Sequence, residues 1–182
     1  MIETAYNRIA PVDQNDLEFF MSADNDTYID LDIKLYVRGK LISVSEKFVA
    51  FTDLTVATNN FLHSLFSQCN VTFNGITILQ ESEHYHYLSY LETLMICSHT
   101  SLDRVLVFRE GNMQPSEPSA ENLTATTNLV FITRFHRLSA SREVHLFGRL
   151  HSDVCIVPLY LEPGVRLQIR LTKARPNFYL MN

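Results

Sequence analysis

YIDLDIKLYVR, residues 28–38, sets apolar and polar side chains in alternation along its length. Ile29, Leu31, Ile33, Leu35 and Val37 fall on one side of an extended chain, with Asp30, Asp32, Lys34 and Arg38 on the other. A two-residue period is that of a strand with one face buried and one face wetted. The pattern returns near the other end, where Val165, Leu167, Ile169 and Leu171 alternate with Arg166, Gln168, Arg170 and Thr172. Two long amphipathic strands therefore frame the chain.

Between them, VTFNGITILQ (residues 71–80) carries Asn74-Gly75 between alternating apolar positions. Asn-Gly suits the positive φ angles of a type I′ turn, so a tight hairpin is expected. Pro163-Gly164 predicts a type II turn before the last strand, and Pro158 marks an edge position or bulge in the strand expected over 154–161. Two segments read as helices. Phe61, Leu62, Leu65 and Phe66 follow an Asn N-cap, and Tyr87, Leu88, Leu91, Leu94 and Met95 form one apolar stripe. GNMQPSEPSAENLTATTN, residues 111–128, reads as a long surface loop suited to meeting a partner. Many strands, tight turns and no β-α alternation predict an all-β fold, an antiparallel sandwich or barrel; eight-stranded jelly rolls belong to that group.

A chain of 182 residues fits one domain with a substantial core. Its formal net charge of −5 argues against a protein built to grip phosphate backbones. Basic residues gather late (Arg134, Arg137, Arg142, Arg149, Arg166, Arg170, Lys173, Arg175), while the first third is acidic. With no aromatic ladder among them, these charges read as solvated strand faces. Cys69, Cys97 and Cys155 are far apart and never in C-x-x-C spacing, which predicts neither a disulfide framework nor a zinc ribbon, and a reducing compartment. No apolar run is long enough for a membrane-spanning helix, and synthesis in the cytosol is expected.

Two segments hold the residue types of chemistry. GRLHSDVC (residues 148–155) places His151, Ser152, Asp153 and Cys155 together. On a strand, His151 and Asp153 share a face that Ser152 does not, whereas a catalytic triad assembles from separate parts of the chain. Cys155 enters an apolar run, where burial raises a thiol pKa. The second segment carries His84 and His86 in H-x-H spacing with Glu92 following, the ligand types of an open iron or zinc site in a cupin-like enzyme. Glu92 falls late, on the helical stripe, so the expectation is histidines that hydrogen-bond at a strand-to-helix junction. There is no P-loop or dinucleotide fingerprint. No residue is assigned a catalytic, cofactor-binding or metal-binding role.

Six blocks in order, DLEFF, YIDLDIKLYVRGKLI, NNFLHSLFSQCNVTFNG, HYHYLSYLETL, REVHLFGRLHSDVC and GVRLQIRLTKARPNFYLM, resemble the first half of the major capsid proteins of Polinton (Maverick) elements and adintovirus-like DNA viruses. The resemblance implies that residues 1–182 form a single antiparallel eight-stranded jelly-roll sandwich with two short helical insertions. It also implies a structural virion protein without catalytic activity or cofactor, made in the host cytoplasm. Its copies would trimerise into the pseudo-hexameric capsomers of an icosahedral shell. The implied partners are further copies, neighbouring capsomers and minor capsid or penton proteins, with no membrane insertion and with contact to nucleic acid left open. On that reading His151, Ser152 and Asp153 satisfy backbone groups at a strand end. Such proteins continue into a second jelly roll beyond the block ending at Met181, and they more usually carry Asn-Gly where this chain has Pro163-Gly164. The alternatives are the cupin-like metal enzyme on His84, His86 and Glu92, and a lectin-like carbohydrate-binding jelly roll.

Overall fold

A computed structural model describes residues 15–22, 28–42, 55–80, 84–96, 129–156 and 158–181. In chain order its elements are β1 (Asp16–Ser22), β2 (Ile29–Asp30), β3 (Lys34–Lys40), β4 (Val56–Ala57), α1 (Phe61–Ser64), β5 (Phe66–Phe73), β6 (Ile76–Gln80) and α2 (Tyr85–Ile96). After them come α3 (Leu129–Leu138), β7 (Glu143–Arg149), α4 (Asp153–Ile156), β8 (Tyr160–Leu161), β9 (Arg166–Lys173), α5 (Pro176–Tyr179) and β10 (Leu180–Met181). Most of these elements are strands in small antiparallel sheets, and the helices are short, which makes the fold all-β.

The largest sheet has four strands in the order β1-β9-β5-β6, and three two-stranded ladders join β3 to β7, β2 to β8 and β4 to β10. The pairings are nested. β1 runs antiparallel to β9 with Glu18 opposite Arg170, β2 to β8 with Ile29 opposite Leu161, and β3 to β7 with Tyr36 opposite Phe147. An early arm of the chain thus meets a late arm through three successive ladders. The arms part from the four-stranded sheet and meet again in the β3–β7 ladder, so one ribbon supplies both sheets.

Alternation decides which face turns inward. In β9, Leu167, Ile169 and Leu171 are buried while Arg166 and Arg170 are exposed. Across residues 28–38, Leu31 and Leu35 are buried and Asp30, Lys34 and Arg38 exposed. The run is nonetheless divided into β2 and β3, because Ile33 N–H turns back to the Leu31 carbonyl. Leu35 and Leu146 from the β3–β7 ladder join Cys69, Val71, Leu167, Ile169 and Leu171 from the four-stranded sheet in one apolar cluster. Burying a large apolar side chain stabilises by about 1.5–3 kcal/mol, so this shared layer is what holds the two sheets together.

The hairpin at Asn74-Gly75 forms as expected, with φ of 49° and 81°, and Gly164 takes φ 86° in its turn. Asn74 also ties the hairpin to the neighbouring strand, its Oδ1 accepting from Arg166 N–H at 2.9 Å. Helix α2 lies where expected; α1 stops at Ser64, with Phe66 already in β5, and Asn60 stands at its start without a side-chain cap bond, while among the described residues α3, α4, α5 and a 3-10 turn at Ser139–Ser141 are helical as well. In α3, Phe135 and Leu138 are buried one turn apart. The strand expected over 154–161 is instead α4 followed by the two-residue β8. Cys155 N–H donates to the Ser152 carbonyl at 2.8 Å, winding the chain into a turn, and Pro158 stands just past its end. The loop expected over 111–128 and Cys97 lie outside the described residues.

Candidate functional site

A connected polar cluster lies where α1, α2 and the turn after β7 meet. Asn60 adopts φ 53°, ψ 45°, and its carbonyl accepts from His63 and Ser64 N–H, starting α1 with His63 turned into the protein. In α2, Tyr85, Ser89 and Thr93 recur every four residues, and all three are buried. This face of the helix is polar. Its other side carries Tyr87, Leu88, Leu91 and Met95, all exposed. The apolar stripe read from the sequence is therefore real as spacing but points outward, because polar partners on α1 and beyond β7 claim the inward face.

These partners form a connected set. His63 Nδ1 lies 2.9 Å from the Tyr85 hydroxyl, and the backbone N–H of His151 donates to that hydroxyl oxygen at 3.4 Å. With its oxygen accepting from His151, Tyr85 has its own proton to donate to His63. His151 Nδ1 is 2.7 Å from Glu92 Oε2, and the rings of His63 and His151 meet edge to face with centroids 4.6 Å apart. Asn60 Nδ2 donates to Ser89 Oγ at 3.1 Å, and Ser89 Oγ donates to the His86 carbonyl at 3.0 Å. Burial first, and then the neighbouring His151, holds the His63 imidazole down to about 3, so it is neutral at physiological pH.

Glu92, His151 and Thr93 stand in the acid, imidazole, hydroxyl order of a triad, with His151 Nε2 3.5 Å from Thr93 Oγ1. The hydroxyl is not poised to attack, because Thr93 Oγ1 donates to the Ser89 carbonyl at 2.6 Å and the residue is 2 % exposed. What this geometry performs is attachment: it ties α2 to α1 and to the β7 turn. Tyr85→Phe removes a hydroxyl with two partners, leaving His63 Nδ1 and His151 N–H unpaired. The expected cost is about 1–3 kcal/mol, read as a lower urea midpoint with an unchanged slope.

The residues singled out in the sequence are dispersed. His84 is exposed, and His86 directs Nδ1 to the Phe66 carbonyl at 3.2 Å with its ring 3.8 Å from that of Phe178. Glu92 pairs with His151 rather than with either residue of the H-x-H pair. Among the described residues no group of three or more His, Cys, Asp or Glu could hold a metal ion. His151 and Ser152 lie beyond the end of β7, and Asp153 opens α4. Ser152 does not take the role expected of it, since its buried hydroxyl has no hydrogen-bond partner among the described residues. Cys69 and Cys155 are buried thiols outside any disulfide. His63 was given no role from the sequence. Its signal lies at a distance, in Gly148, where an added Cβ would stand 3.3 Å from His63 Nε2.

The outer faces carry the charges. Arg38 makes two contacts of 2.9 Å to Glu143, and His145 Nε2 is 3.0 Å from the same carboxylate. Arg170 pairs with Asp16 and reaches Glu18, while Arg149 lies 2.8 Å from Asp32. The hydrogen bond from Arg170 holds the Asp16 carboxyl below its usual value. Most of these pairs join the acidic early arm to the basic late arm, so the uneven charge along the sequence is complementary charge across the ladders. Exposed pairs of this kind are screened by solvent and add little, so they serve register more than stability. Tyr36 and Phe147, opposite each other on the β3–β7 ladder, are 54 % and 66 % exposed. Among the described residues no helix is long and apolar enough to cross a membrane. No protein-family model and no curated protein matches the chain.

Proposed function

We propose that this chain is a structural virion domain, the first jelly roll of a major capsid protein whose copies assemble into trimeric, pseudo-hexameric capsomers of an icosahedral shell. The observation that carries the reading is the nested pairing of β1 with β9, β2 with β8 and β3 with β7. A jelly roll is an antiparallel ribbon rolled up so that its two arms pair first in one sheet and then in the facing one. The ordered resemblance of the six sequence blocks to Polinton and adintovirus capsid proteins points the same way. Two further features fit a protein that works by contact. The imidazoles and carboxylate of the polar cluster are spent on one another, and exposed aromatic and aliphatic side chains stand on the β3–β7 face and on α2. The cupin-like alternative is disfavoured because His86 and Glu92 each face a different partner.

Assembly of this kind needs interfaces of roughly 1,000 Å² or more. The full-length product of the gene is expected to sediment as a trimer and to show six-lobed particles by negative-stain electron microscopy. A strict monomer at high protein concentration would remove the reading.

A further inference from the structure

We propose that the His63–His151 imidazole pair makes the junction of α1, α2 and the β7 turn an acid-sensitive latch, which releases α2 while the sheets stay folded. The latch stands independently of the capsid reading.

The way α2 is attached comes first. Its inward residues are Tyr85, His86, Ser89 and Thr93; Leu94 is half-buried, and Leu88, Leu91 and Met95 are exposed. Hydrogen bonds to Asn60, His63, the Phe66 carbonyl and His151 hold it, and three of the four involve an imidazole. The Tyr85 ring adds apolar burial to these bonds, but no leucine of α2 is fully buried, so a changed protonation state acts on a large part of what holds the helix.

A second proton on His63 disturbs the bonds around it. With Nδ1 accepting from the Tyr85 hydroxyl, a proton there forces that hydroxyl to turn from donor to acceptor, on an oxygen that already accepts from His151 N–H. The β7 backbone closes over Nε2 at Gly148. The groups facing α1 are Tyr85 and, beyond His151, Glu92 from α2; His86, also of α2, bonded to the Phe66 carbonyl at the start of β5; His151 from the β7 turn; and Tyr179 of α5, its ring tilted against that of Phe61. Glu92 is the one anion in this set, and it is committed to His151 at 2.7 Å. A cationic His63 would therefore be buried beside a second imidazole without a counter-charge of its own.

The direction follows from linkage. Burial and His151 depress the His63 value from 6.5 to about 3 in the closed junction. The closed state is fully favoured above pH 6.5 and loses ground as pH falls towards 3, by up to about tenfold per pH unit for one proton.

Hydrogen–deuterium exchange at pH 7.5 and pH 5, corrected for intrinsic rates, tests this. Opening of α2 is expected to rise roughly 30-fold, one proton acting over about 1.5 pH units, while β9 keeps its protection. His63→Phe, which cannot titrate, is expected to abolish the rise. His63→Asn, which retains an acceptor near Nδ1, carries the same expectation if the Phe variant does not fold. Loss of protection in α2 and β9 together, an α2 indifferent to pH, or a rise that persists in the variants overturns the latch. The comparison of α2 with β9 in the unmodified protein tests the release itself, and the variants assign it to His63.

Discussion

Leu171→Ala is expected to cost about 2–5 kcal/mol, a large share of the roughly 5–15 kcal/mol that holds a typical domain folded. Leu171 is 1 % exposed, on β9, which has β1 on one side and β5 on the other. It shares its cluster with Leu35 and Leu146 of the other ladder, so truncation opens a cavity in the layer that joins the sheets. Its neighbour Arg170 points the opposite way, into an exposed ion pair, and Arg170→Ala should cost far less than Leu171→Ala. Chemical denaturation of the two variants checks the claim. Similar costs for both would mean that β9 is not buried on one face only.

Gly148→Ala gives the second large effect, about 1–3 kcal/mol of destabilisation, from adding a single methyl group. The new Cβ would lie 2.7 Å from Leu62 Cδ2 and 3.3 Å from His63 Nε2. Leu62 is itself a buried core residue, so its methyl has little room to retreat. The strain falls on α1 and on the hydrogen bond from Tyr85 to His63. Gly39, in the paired strand β3, is the control: nothing lies within 4 Å of its would-be Cβ. Gly39→Ala should be neutral or stabilising by about 0.5–1 kcal/mol, through the lower backbone entropy lost on folding. Thermal midpoints of the two variants should therefore move apart, with that of Gly148→Ala falling.

The candidate site was legible in its parts and illegible in its assembly. HYHYLSYLETL announced a helix, and GRLHSDVC announced a histidine near a strand end. Nothing in either segment shows that Glu92 and His151, 59 positions apart, would meet at 2.7 Å. The H-x-H spacing suggested a shared ligand, yet α2 starts at Tyr85, and helical geometry turns His84 and His86 to different surroundings. For α2 the periodicity located an apolar stripe and left its direction open; most of it faces outward. Spacing states which side chains share a face, while the neighbours that the fold supplies decide which face is buried.

By itself, the order of residues determined the class of fold. The alternation in residues 28–38 and 165–172 and the turns at Asn74-Gly75 and Pro163-Gly164 are properties of a few adjacent dihedral angles, and local sterics write them into composition. The partners were decided by tertiary structure alone. Asp16 meets Arg170 across 154 positions, and Arg38 meets Glu143 across 105. Such contacts exist only after the ribbon has closed, because a long loop must first surrender its entropy and only shared burial returns it. For the same reason the acidic beginning and the basic end of the chain become a pattern of paired charges only once the sheets have formed.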